Sequence, residues 1–265
     1  AGAPNLAIGN ALGSNVANIG LVIGIATLTH PLASGSSTLR RELPVMLAVS
    51  ILPAVLFPDG VLSRLDGWLL LVGLVAFMTW IVRLGRSTHG IDPIEAQYAA
   101  ELPSGVTLGR ASIAVLIGLV TLLAGANALV WGSESVAKAL GISDLVLGVT
   151  IVAVGTSLPE LAVSIVSARK GEHGLALGNV IGSNAFNLLA VIGVAATIEP
   201  ARLEPDAVKL HLPVMVGFTL AFFFIAYNRD NVMRVGRLAG GALFVAFCCY
   251  HAVVIWRTIQ TGPGA

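Results

Sequence analysis

Charge is what this sequence has least of. Asp, Glu, Lys and Arg make up 11% of its 265 residues, against 56% hydrophobic residues and a mean hydropathy of +0.89. Soluble globular domains carry about a quarter charged residues, so a water-soluble fold is excluded. A net charge of +1 gives no basis for nucleic acid or an acidic protein as partner. Cysteine is nearly absent: Cys248 and Cys249 sit side by side in an apolar run and read as small hydrophobes, not as redox or metal groups. HExxH, GxSxG, P-loop and dinucleotide motifs are missing, and His30, His89, His173, His211 and His251 lack metal-ligand spacing. These absences leave no signal for an ATPase and count against an intramembrane hydrolase, and no cofactor is expected.

What the sequence does have is a series of apolar runs, at 6–28, 43–58, 67–84, 111–132, 144–168, 174–198, 209–227 and 236–256. About twenty apolar residues in a helix cross a hydrocarbon core of ~30 Å. The expectation is an all-α polytopic membrane protein with eight helices in this chain, embedded in the bilayer. Loops after the first, third, fifth and seventh runs hold ten Lys and Arg, among them Arg40, Arg41, Arg83, Arg86, Arg169, Lys170, Arg229 and Arg237, while the opposite set holds five. The positive-inside rule puts the richer set, including the polar stretch 85–110, in the cytoplasm of an inner (plasma) membrane.

Residues 6–28 (LAIGNALGSNVANIGLVIGIATL) recur at 175–197 (LALGNVIGSNAFNLLAVIGVAAT). One offset aligns Gly9, Asn10, Gly13, Ser14, Asn15 and Asn18 with Gly178, Asn179, Gly182, Ser183, Asn184 and Asn187, and it extends to Leu43–Met46 and Leu212–Met215. Under the charge-based topology the two copies cross the membrane in opposite senses. Inverted repeats of this kind build secondary transporters, with the substrate site at the mid-membrane repeat interface. The chain divides into 1–84 (three spans of the first half), a linker at 85–110, and 111–258 (five spans of the second half). The second copy has two spans ahead of its GN-GSN segment that the first lacks. The offset therefore predicts roughly sixty further residues, two helices with their loops, ahead of Ala1, and ten spans in the natural protein.

The candidate chemistry centres on Glu160, in the middle of LVLGVTIVAVGTSLPELAVSIVSARKG. An acid at that depth costs several kcal/mol unless it is paired or lines a wet cavity, and its default reading is functional. Thr156 and Ser157, four and three residues earlier, share its helical face. Pro159 has no N–H and breaks the helix there, freeing backbone carbonyls. Hydroxyl, carboxylate and carbonyl oxygens are the ligands of hard cations, and a broken mid-membrane helix presenting them is a known ion-site design. Ser183 and Asn187 share one face of the next span, as do their repeat mates Ser14 and Asn18 in the first. Gly9, Gly13, Gly178 and Gly182 read chiefly as sites of close helix approach.

GTSLPE at 155–160, followed by GNVIGSNAFN at 178–187, resembles the second α-repeat of the sodium/calcium exchanger family. GNALGSNVAN at 9–18 resembles the second half of the first α-repeat, and the resemblance covers nearly the whole chain. It is nearest to the short bacterial inner-membrane calcium/sodium antiporters. The resemblance implies a ten-helix fold of inverted five-helix repeats around four ion sites, and exchange of Na⁺ for Ca²⁺ by alternating access. By motif position Glu160 would be the central carboxylate, Thr156 and Ser157 its hydroxyl and carbonyl ligands, and Ala153 a carbonyl ligand one turn earlier. Ser14 and Ser183 would be peripheral Na⁺ ligands, and Asn18 and Asn187 would flank the centre. Asp in place of Asn187 accompanies potassium-dependent exchange, so Asn187 leans to the potassium-independent kind. The first-repeat GTSxPE is absent from this sequence. Competing readings are exchange of another cation, exchange using H⁺, or a non-transporting membrane scaffold derived from a transporter.

Overall fold

The computed structural model describes residues 4–87, 92–94, 106–140, 143–227 and 232–261. Most of the expected linker, with His89, and the loop residue Arg229 lie outside them. Eight helices follow one another among the described residues: α1 (Pro4–Thr29), α2 (Ser37–Leu56), α3 (Arg64–Ser87), α4 (Leu108–Leu140), α5 (Asp144–Lys170), α6 (His173–Ile198), α7 (Ala207–Ala226) and α8 (Arg237–Thr261). They correspond one to one with the eight apolar runs. Six of them, α1, α3, α5, α6, α7 and α8, are long and apolar enough to cross a membrane over their described residues, and α4 is 33 residues long. α2 is shortened as a span because Arg40, Arg41 and Glu42 occupy its first turns.

The apolar residues are distributed as a bilayer demands. α1 is the central helix, with 83% of its apolar window inside the protein, against 17% for α3. The outer faces of α3 and α8 expose Val72, Val75, Leu238 and Val245, side chains that lipid would cover. Lipid tails are as apolar as leucine, so helix association there rests on close packing and interhelical hydrogen bonds. The α1–α5 crossing shows how close that packing becomes. A Cβ on Gly13 would stand 2.6 Å from the Val149 Cα, and one on Gly148 would stand 2.8 Å from the Asn10 nitrogen. Glycine is required on both helices because backbone meets backbone.

Two short antiparallel ribbons tie the repeats together. β1 (Leu32–Ser34), after α1, pairs with β4 (Met233–Val235), before α8. β3 (Ala201–Arg202), after α6, pairs with β2 (Val61–Leu62), before α3. Each ribbon thus joins the strand behind one copy's GN-GSN helix to the connection between the other copy's last two helices. The loops also sort into two groups. Ala33 N–H donates to His173 Nδ1 at 3.2 Å, and Asp92 accepts from Ser37 Oγ and the Thr38 N–H at 3.0 and 2.9 Å. In the other group Asn5 Nδ2 donates to the Arg202 carbonyl and Arg257 pairs with Asp206. The first group is the Lys- and Arg-rich set of the sequence, and the start of α6 lies in it beside the end of α1. The two GN-GSN helices therefore run in opposite senses.

Asp92 is buried at the start of α2, where it also accepts from Thr38 Oγ1 at 2.9 Å. Burial works to raise its pKa, but the N–H groups of Thr38 and Ile94 and nearby hydroxyls outweigh it and hold the carboxyl at about 2.

Candidate ion-binding site

The broken helix anticipated at Pro159 is present. α5 begins regularly, passes through a π-helical stretch at Gly148–Val152, and is interrupted at Ser157, with Leu158 and Pro159 starting its second half. Proline suits that first turn, where an N–H has no intrahelical acceptor. α5 ends at Gly171 (φ 81°), a left-handed turn that glycine adopts without a Cβ penalty. The chain re-enters at His173, so α6 lies antiparallel against α5. α1 and α6 both switch to π-helical turns at repeat-related residues, Asn18 and Asn187. Such turns occur in helices mostly at functional sites.

These three helices line a cavity of about 450 Å³, to which Met78 of α3 and Phe186 also contribute. Its lining includes Ser14, Asn18, Thr156, Ser157, Glu160, Ser183 and Asn187, together with Asn10 and Gly182. Seven of the eight candidate ligands thus come to one place. The eighth, Ala153, is buried in the α1–α5 contact beside Gly13. Its carbonyl accepts from Thr156 Oγ1 at 3.2 Å and from the Ser157 N–H at 3.1 Å.

The polar atoms fall into two sets. On one side Asn10 Oδ1 accepts from Ser14 Oγ at 3.2 Å and from Thr156 Oγ1 at 3.1 Å, and the two hydroxyls lie 3.1 Å apart. On the other, Ser183 Oγ donates to Glu160 Oε1 at 3.2 Å, and Asn179 Nδ2 approaches the Glu160 carbonyl at 3.5 Å. Three further oxygens of lining residues, Glu160 Oε2, Ser157 Oγ and Asn18 Oδ1, are buried without a hydrogen-bond partner. Native proteins pair the large majority of buried polar atoms. Unpaired oxygens on three residues that line one cavity suit a cation, and among the described residues no cluster of three His, Cys, Asp or Glu offers a transition-metal alternative.

Sequence reasoning passed over Asn10, Asn15, Asn179 and Asn184. Each recurs in the repeat, which was the available signal. Gly182 differs from its mate Gly13: nothing lies within 4 Å of a Cβ built on it, because it faces the cavity and not a neighbouring helix.

An all-helical, multi-pass protein with antiparallel repeat helices crossing at an oxygen-lined cavity has the architecture of a secondary cation transporter. The model of the sodium/calcium exchanger protein family matches residues 1–83 and 111–256, and the chain belongs to that family. CaxA of Alkalimonas amylolytica, named as a candidate antiporter, is 42% identical over 92% of this chain and 77% of its own length. The inner membrane protein YrbG of Escherichia coli (strain K12) is 38% identical over 95% of this chain and 78% of its own. A solved structure of the sodium-calcium exchanger NCX_Mj superposes with a TM-score of 0.70 at 32% identity, covering 94% of this chain and 76% of that one. The protein is a membrane antiporter of the cation/Ca²⁺ class and has the exchanger fold.

Proposed function

We propose that this antiporter exchanges Na⁺ for Ca²⁺ by alternating access, driven by the ion gradients and without ATP. The observation that carries the reading is the cavity lining, to which Glu160, Ser157 and Asn18 each bring an oxygen without a hydrogen-bond partner. Ca²⁺ takes six to eight oxygen ligands at 2.3–2.6 Å, carboxylate, carbonyl and amide oxygens among them. In this reading Glu160 serves whichever ion is bound, with Thr156, Ser157 and the Ala153 carbonyl as its companions. Ser14 and Ser183 hold Na⁺ on either flank, and Asn18 and Asn187 supply amide oxygens beside the centre. Both ions need the same oxygens, so they exclude one another and their fluxes are coupled. Alternating access then amounts to 1–84 and 111–258 rocking about the cavity as two inverted halves. The excess of Lys and Arg on the linker side supports a cytoplasmic linker in an inner membrane, with Ca²⁺ leaving the cell as Na⁺ enters.

The test is ⁴⁵Ca²⁺ uptake by proteoliposomes of the full gene product loaded with Na⁺ and diluted into choline. Uptake that collapses when the Na⁺ gradient is dissipated, and that a pH gradient does not replace, is the expected result. Uptake driven by the pH gradient alone would move the assignment to proton exchange, and no Ca²⁺ flux from folded protein would refute it.

A further inference from the structure

Where α1 crosses α6, the two repeat copies grip one another through asparagine. Asn15 Nδ2 donates to the backbone carbonyl of Asn184 at 3.1 Å, and Asn187 Nδ2 donates to Asn15 Oδ1 at 3.1 Å. In the mirrored position Asn18 Nδ2 donates to Asn184 Oδ1 at 3.0 Å. Asn15 and Asn184 are fully buried and do not line the cavity, whereas Asn18 and Asn187 do. The inner pair therefore touches the outer pair and nothing that an ion would touch.

An amide can present either its oxygen or its NH₂ to a cavity, and only the oxygen can bind a cation. A backbone carbonyl only accepts, so the Asn184 carbonyl fixes which end of Asn15 faces it. Asn15 must then turn its Oδ1 to Asn187, which must answer with Nδ2 and leave its own Oδ1 for the cavity. One main-chain oxygen thus orients two side chains in sequence. The Asn18 arm is held less firmly. Asn184 Oδ1 receives the Asn18 amide, but Asn184 Nδ2 is buried without a partner, so no backbone group dictates which way Asn184 points.

We propose that Asn15 is a positioning residue, which turns the amide of Asn187 oxygen-first toward the ion cavity. This rests on the ion-binding reading of the cavity. A carboxylate has two equivalent oxygens and needs no orienting, which separates orientation from simple support of the fold. The experiment is a double-mutant cycle on ⁴⁵Ca²⁺ equilibrium binding by the full gene product in detergent. It combines Asn15→Ala with Asn187→Asp and carries Glu160→Gln in parallel. With Asn187 present, Asn15→Ala is expected to raise the half-saturating Ca²⁺ concentration roughly tenfold, the worth of about one hydrogen bond. With Asn187→Asp in place, where Asn15 Oδ1 would face an acceptor and not a donor, the same change is expected to leave the half-saturating concentration within about twofold or to lower it, a coupling of the kind such cycles isolate.

Asn15→Ser keeps a donor for the Asn184 carbonyl but is too short to reach Asn187. It is expected to give the same pattern and serves if the alanine variant does not fold. Equal shifts in both backgrounds, or none in the Asn187 parent, would overturn the orienting role. If Glu160→Gln leaves binding unchanged, the ion-site reading fails first, and the positioning role goes with it. If Glu160→Gln weakens binding while the cycle shows no coupling, the site stands and only the positioning role is lost.

Discussion

Replacing Glu160 by glutamine removes one charge and little else. Gln has the same length, its Oε1 still accepts from Ser183 Oγ, now at 3.2 Å from the carboxylate, and the surrounding α5–α6 contact is untouched. An ion in the cavity sits against this side chain. Each unit of ionic charge about 4 Å from the carboxylate interacts with it by roughly 4 kcal/mol at an effective dielectric constant near 20, and Ca²⁺ carries two. Each ~1.4 kcal/mol is a factor of ten, so the half-saturating Ca²⁺ concentration should rise by at least about a hundredfold. The lower bound allows for the amide oxygen that remains as a ligand. Stability should hold or improve slightly, because the buried, unpaired Oε2 no longer carries charge. The assay is Ca²⁺-dependent exchange in proteoliposomes, with a melting curve in parallel. A well-folded variant whose Ca²⁺ dependence moves less than tenfold would show that Glu160 does not face the transported ion.

Three further outcomes follow from the packing and the site. Ser183→Ala removes the hydroxyl that touches Glu160 and is expected to raise the half-saturating Na⁺ concentration by about tenfold; an unchanged Na⁺ dependence would remove Ser183 from the site. Repeat mates Gly13 and Gly182 should behave differently. Gly13→Ala forces a Cβ to 2.6 Å from the Val149 Cα and should cost about 1–3 kcal/mol in unfolding experiments, whereas Gly182→Ala enters open space and should leave the melting temperature alone while changing ion affinity. Asp92, held at about 2 against a usual 3.8, supplies stability that is present above pH ~4 and lost as the pH falls toward 2. Asp92→Asn should flatten that part of the acid-melting profile, and identical wild-type and variant profiles would refute the docking of this carboxyl on α2.

Much of this was readable from the sequence because it depends on periodicity. Glu160, Thr156 and Ser157 share a helical face by spacing alone, Pro159 marks the break, and the GN-GSN repeat identifies α1 and α6 as partners. The asparagine clasp was not readable in the same way. Asn15 and Asn18 lie three apart, so their adjacency is visible, but the carbonyl of Asn184 becomes a partner only through the crossing of two inverted helices. The same holds for the two ribbons, since two or three residues in a loop carry no strand signal until their partners from the other repeat are beside them. Gly182 shows the opposite hazard. Its equivalence to Gly13 in sequence suggests equivalent packing, yet one meets a helix backbone and the other a cavity.

The central claim, that Ca²⁺ and Na⁺ compete for the oxygens around Glu160, can be tested by locating the ion. Crystals of the full gene product soaked in Sr²⁺, an electron-dense stand-in for Ca²⁺, should show one dominant anomalous peak in this cavity. The peak should lie within coordination distance of Glu160, with Asn18 and Ser157 facing it, and should fade as Na⁺ is raised. A peak elsewhere in the protein, or one in the cavity that high Na⁺ leaves undiminished, would contradict the account.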